Sequence, residues 1–163
     1  MRAAHLMWTL VTILDVLAWP VPVSAQNSQA DSAAILRVIQ GHADAWNRRD
    51  AQAAAAAYAR DADIRYSSGE RLQGRPAIEA AHRAAFAGEP ADKASRHSHP
   101  SGSLWLRFVR PDLALAEVES RYDFPADSAG HPRPSERTLL FLVLTKEEGQ
   151  WRVLAQRNLG PLH

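Results

Sequence analysis

Ile35, Ile39, His42 and Trp46 recur three or four residues apart, with Leu36 and Ala43 beside them. That spacing predicts a half-buried helix. Asp31 or Ser32 can cap its start, and it runs to about Asn47. Asp50 can cap a second helix, Ala51 to Ala59, whose alanine run has high helix propensity and little bulk. Ile64 to Ser67 reads as a short strand and Ser68-Gly69 as a turn. Gly74-Arg75-Pro76 opens a third helix, with Ile78, His82 and Phe86 on one face. Beyond Pro90 the period changes from helical to alternating. His97 to Val109 is a long strand that Pro100 and Gly102 mark as an edge or a bulge. Leu113 to Phe124, Arg137 to Lys146 and Gln150 to Asn158 follow, with a polar Pro-rich loop from Pro125 to Pro134.

Helices grouped early and strands grouped late predict an α+β fold with three N-terminal helices on one face of a curved, mainly antiparallel sheet. A long twisted sheet curls. Helices packed into its hollow make a cone whose mouth is a natural pocket.

Composition narrows the setting. The chain has 163 residues, 46% hydrophobic and 23% charged, which suits one folded domain. A net charge of +1 and the absence of any Lys/Arg block give no case for nucleic acid. Without cysteine there is no disulfide framework, thiol nucleophile or thiolate metal site. At the N-terminus, Arg2 precedes an apolar run from Leu6 to Leu17, interrupted by Asp15. Val23-Ser24-Ala25 then sets small residues where a signal peptidase reads them. The expectation is a signal peptide over residues 1–25, a linker over 26–32 and a domain over 33–160. The mature protein is expected to be exported, periplasmic or secreted, with no membrane anchor.

Several segments carry a resemblance. Ala43-Asp44-Ala45-Trp46-Asn47-Arg48-Arg49-Asp50 is followed by Tyr58-Ala59-Arg60-Asp61-Ala62-Asp63. Further on come Gly74-Arg75-Pro76-Ala77-Ile78-Glu79-Ala80-Ala81-His82, Phe108-Val109-Arg110-Pro111-Asp112-Leu113-Ala114-Leu115, and Gly149-Gln150-Trp151-Arg152-Val153 with Gln156. Together they resemble the nuclear transport factor 2-like (cystatin-like cone) superfamily. Within it the chain is most similar to the SgcJ/EcaC group, close to the SnoaL-like domains. The resemblance implies the cone fold but no one function, because the fold hosts isomerases, cyclases, dehydratases and non-catalytic binding modules. It also allows one activity to be rejected. Aligned on Asp50, the ketosteroid isomerase base falls on Tyr66, its tyrosine donor on His42, and its protonated acid near Leu142. A phenol with a pKa of about 10 is a poor proton abstractor at neutral pH, and leucine donates nothing. That activity is not carried over. The SgcJ/EcaC group is often given an oxidoreductase label. It finds no support here, since there is no Gly-rich dinucleotide turn and no cysteine.

In the cone, His42, Trp46 and His82 lie on the core-facing stripes of the first and third helices. Tyr66 shares the parity of Ile64, Tyr122 that of Val118, and Gln156 and Asn158 that of Leu154. His82, His42 and Tyr66 are the candidates for acid–base catalysis, because imidazole titrates near neutrality. Trp46, Tyr122, Gln156 and Asn158 are candidates for ligand contact. His97 and His99 share one side of their strand with Trp105 and Arg107, so they face away from the cone unless a bulge near Gly102 reverses the parity. No metal and no cofactor are expected. Leu139 to Leu144 is apolar on both faces, which predicts a homodimer through the outer sheet face.

Three readings stand: a small-molecule-binding domain, an acid–base enzyme acting on an apolar or aromatic molecule, and a dimerisation module filled by its own side chains. The state of the cavity discriminates among them.

Overall fold

A computed structural model describes residues 23–88, 95–99 and 102–162. The expected signal segment, apart from its last three residues, lies outside these. Helix α1 spans Val23–Asn47. It begins ahead of the expected Asp31/Ser32 cap, so the stretch read as a linker continues the helix. Ile35, Ile39 and Ala43 are buried on its inner stripe as the spacing required, whereas Leu36 is 51% exposed.

Helix α2 is short, Ala51–Ala56, and Asp50 caps it by accepting from the Ala53 amide at 2.9 Å. The alanine run does not carry the helix on to Ala59. Strand β1, Tyr58–Arg65, takes over. Here pairing overrides local propensity: the Val153 amide donates to Ala57 O and Tyr58 pairs with Val153 in parallel. Strand β2, Arg71–Gln73, was not anticipated and forms a hairpin with β1. Gly74 follows at φ +83°, a conformation that favours glycine, and its carbonyl accepts the first amides of α3, Arg75–Gly88.

Strands β3 (Arg96–Ser98), β4 (Trp105–Arg110), β5 (Leu113–Asp123), β6 (Glu136–Glu147) and β7 (Gln150–Pro161) complete a seven-stranded sheet. Its order is β2-β1-β7-β6-β5, with β3 and β4 sharing the far edge of β5. All pairs are antiparallel except β1 with β7. The core lies between the helices and the inner face, on Ile35, Ile39, Tyr58, Ile64, Ile78, Val118 and Leu144.

Two irregularities position the site. In β7, Val153 faces Leu144 and Ala155 faces Val143, so Leu154 is an extra residue. The bulge puts Trp151 and Val153 on the same face as Gln156 and Asn158. On the edge, the single long strand expected from His97 to Val109 is broken in two. Between Ser98 and Trp105 it advances seven residues while β5 advances four, from Arg121 to Glu117. The excess of three is odd, and an odd insertion exchanges the two faces.

Candidate functional site

That exchange corrects the expectation for His97 and His99. His97 pairs with Tyr122, is 2% exposed and looks into the cone. Asn47, at the end of α1, fixes it there: Asn47 Nδ2 donates to His97 O and the His97 amide donates to Asn47 Oδ1, both at 2.8 Å. Trp105 and Leu106, beyond the break, keep the alternation read from the sequence.

The result is a cluster of rings drawn from five elements. The His42 ring centroid lies 5.6 Å from those of Tyr58 and His82 and 5.7 Å from His97. Trp46 meets His82 edge-on at 5.5 Å and Phe86 at 4.9 Å. His97 stacks on Tyr122 at 4.6 Å, and His99 lies 4.7 Å from His97. His42, Trp46, His82 and Tyr122 are thus brought together as the sequence suggested. Tyr66 makes no ring contact with the histidines among the described residues. Its hydroxyl is near enough to those of Tyr58 and Tyr122 to oppose their ionisation.

Hydrogen bonds fix several roles. His99 Nδ1 sits 3.0 Å from Glu119 O, so Nδ1 carries the proton and Nε2 holds the lone pair. Ser120 Oγ lies 3.1 Å from His97 Nε2 and 3.3 Å from His99 Nδ1 and so links the two imidazoles. The Tyr58 hydroxyl donates to Gln156 Oε1 at 2.7 Å, and Gln156 Nε2 donates to Asn158 Oδ1 at 2.8 Å. A polar chain therefore leads from the histidines to Asn158. Asn158 and Tyr122 both line an open groove of about 580 Å³ at the mouth, beside Ser67, Glu136 and Thr138. Inside, a space of about 20 Å³ opens next to His42, Tyr58, His99 and Gln156. That is room for about one water.

The interior is electrically neutral at pH 7. Burial pushes the His82 imidazole down to about 4. Burial, and after it the neighbouring His99, take His97 to about 3. Burial holds His42 well below its ordinary value, and His97, His82 and His99 add to this. Burial also lowers His99, against the opposing bond to Glu119 O. The phenols move the other way: burial raises Tyr58, Tyr66 and Tyr122, the last to about 12. The arrangement holds neutral imidazole lone pairs beside intact phenol protons. Among the described residues no three His, Asp or Glu side chains converge in a way that would hold a metal.

Sequence reasoning passed over Tyr58, Ser120 and Asn47 as polar participants and turned His97 and His99 outward. The signal for the latter was present in Pro100 and Gly102, but not the number of inserted residues.

The profile of the SnoaL-like domain matches residues 27–157. The chain belongs to the SnoaL-like domain family. No curated protein matches it at a significant level. Among solved structures, a cystatin-like domain of unknown function from Nostoc punctiforme is 29% identical with a TM-score of 0.69, over 82% of this chain and 79% of that one. An uncharacterised cystatin-like protein from Caulobacter vibrioides is 25% identical with a TM-score of 0.65, over 81% and 89%. A putative scytalone dehydratase from Novosphingobium aromaticivorans shares 16% identity and a TM-score of 0.67, over 85% and 89%, a likeness of fold alone. The SnoaL-like fold accounts for the cone and its helices. It does not by itself assign a ligand to the histidines.

Proposed function

We propose that this SnoaL-like domain binds a small, uncharged, mostly apolar molecule carrying hydroxyl or carbonyl oxygens. The ligand enters at the mouth between Tyr122 and Asn158 and meets the histidine cluster. One observation carries this reading: His42 Nε2, His82 Nδ1 and His97 Nδ1 are buried and have no hydrogen-bond partner among the described residues. Each such group is expected to cost about 1–3 kcal/mol. A core selected only for packing has no use for three of them together, whereas a ligand oxygen or its bridging water satisfies them. The narrow residual cavity means that Trp46, Phe86 and Tyr122, all half-buried, shift to admit the ligand.

The test is a thermal-shift series with 2-naphthol and 1-tetralone on residues 26–163. His82→Phe and Tyr66→Phe are compared with the parent chain. Both probes should raise the parent's melting temperature, and His82→Phe should lose most of that response. Equal responses in all three proteins would discredit the site.

A second reading, acid–base catalysis, is favoured by the fixed tautomer of His99, a residue that lines the interior space. In that reading a neutral histidine takes a proton while Tyr58, Tyr66 or Tyr122 donates to an oxygen. His82, His42 and Tyr66 stay candidates, and His99 joins them. We also propose export, supported by Val23-Ser24-Ala25, and a homodimer through the outer sheet face. For the dimer, Leu139, Phe141 and Val143 are half-buried beside Leu115 and a 49% exposed Trp105.

A further inference from the structure

A groove of about 470 Å³ lies on the flank of the cone, between α1, α2 and the β6–β7 turn. Its α1 wall includes Arg37, Val38, Gly41 and His42, one flank of the helix by their three-and-four spacing. The alanines of α2 form the floor, and Trp151 and Arg152 close the far side.

Two properties set it apart from an ordinary surface furrow. The first is charge. None of its lining residues is acidic, while Arg37 and Arg152 bring two guanidinium groups. Arg152 is held in place by donating to Ala56 O and Gln150 Oε1, both at 2.7 Å. Arg37 has no hydrogen-bond or ion-pair partner among the described residues. The carboxylate tied to the lining, Asp31 on Trp151 Nε1, is already matched by Lys146 Nζ at 2.7 Å. The second property is Gly41. Glycine inside a helix costs about 0.5–1 kcal/mol relative to alanine. A Cβ added at Gly41 would meet nothing within 4 Å, so no neighbour in the fold requires the glycine. Its missing side chain leaves the groove wall open at that point.

We propose that this groove is a second binding site, for a small monocarboxylate with an apolar body, aromatic or aliphatic. Its carboxylate pairs with Arg37 and Arg152, whose planar donors match a carboxylate's two oxygens. Its body lies over Gly41 and the α2 alanines against Trp151. This site stands apart from the mouth and does not depend on the reading given to it. The two meet only through Val38, His42 and Ala57, which line both the groove and the small interior space.

The experiment is a titration of the full domain with 1-naphthoate, and with uncharged 1-naphthamide, followed by calorimetry and amide chemical shifts. Naphthoate should bind in roughly the micromolar to millimolar range, and naphthamide at least about tenfold more weakly, the scale of one charge-assisted hydrogen bond. Arg37→Ala and Gly41→Leu should each weaken naphthoate by a similar factor, and Asn158→Leu at the mouth should leave it unchanged. If Gly41→Leu does not fold, Arg37→Ala decides alone. Equal binding of acid and amide would overturn the proposal. So would undiminished binding in Arg37→Ala, loss in Asn158→Leu, or no binding of naphthoate.

Discussion

Acid should loosen this protein through its histidines before its carboxylates are touched. His82 is 4% exposed and His97 2%, with native values near 4 and 3. In the unfolded chain both return to about 6.5. Between these limits the unfolded state binds more protons than the native state. Stability is therefore complete above about pH 6.5 and falls as the pH drops towards the native values. From about pH 7.5 to about pH 5 the loss works out at about 2 kcal/mol for each histidine, or about 4 kcal/mol together. Lowered values at His42 and His99 act in the same direction. Asp31, Asp123 and Asp127 are also lowered, so their losses belong to more acid conditions. A loss of this size is a large share of the roughly 5–15 kcal/mol that holds a typical domain together. Urea unfolding at the two pH values measures it directly, and near pH 5 the slope due to these two histidines approaches two protons taken up. His82→Gln, which cannot titrate, should remove about 2 kcal/mol of the drop, and adding His97→Gln about 2 kcal/mol more, leaving the share of His42 and His99. A parent drop under about 1 kcal/mol, or a double variant that keeps the full drop, would refute the neutral-histidine interior.

Two further outcomes follow from contacts already described. Tyr58→Phe leaves the buried Gln156 Oε1 without its donor and should cost about 1–3 kcal/mol in urea unfolding; a cost below about 0.5 kcal/mol would show that the polar chain to Asn158 carries little energy. The parent should sediment as a dimer at roughly tens of micromolar and Phe141→Glu as a monomer, and a monomeric parent would remove the outer face as an interface.

Much of this architecture was legible because periodicity is a local property. The stripe Ile35, Ile39, Ala43 on α1 and the alternation Val118, Ser120, Tyr122 on β5 each follow from spacing alone. The helix at Ala51 was legible from Asp50, though not its length, because the competitor that ends it, β7, lies almost a hundred residues away. Strand β2 has three residues and no pattern long enough to read. Site residues on unbroken elements were placed correctly inward: His42, Trp46, His82, Tyr122. Those next to a break were not. Pro100 and Gly102 announce that pairing is interrupted, but the facing of His97 depends on whether the insertion is odd or even, which only the register with β5 decides. Gln156 and Asn158 were assigned to the inner face together with Leu154. The same bulge that turns them inward also keeps Trp151 and Val153 there.

That bulge divides β7 into two lengths with separate duties. Before Leu154 the strand anchors the helices through Trp151 and Val153, and after it the strand presents amides to the mouth. A substitution at Gln156 or Asn158 can therefore alter what the mouth recognises without disturbing the anchor. Straightening the bulge with every residue kept, so that Leu154 pairs with Val143, is different in kind. It would send both amides to the outer surface and bring Arg157 into the cone, removing the polar chain in a single step. Side chains at the mouth can change while the bulge stays, but the facing of both amides depends on how Leu154 is accommodated.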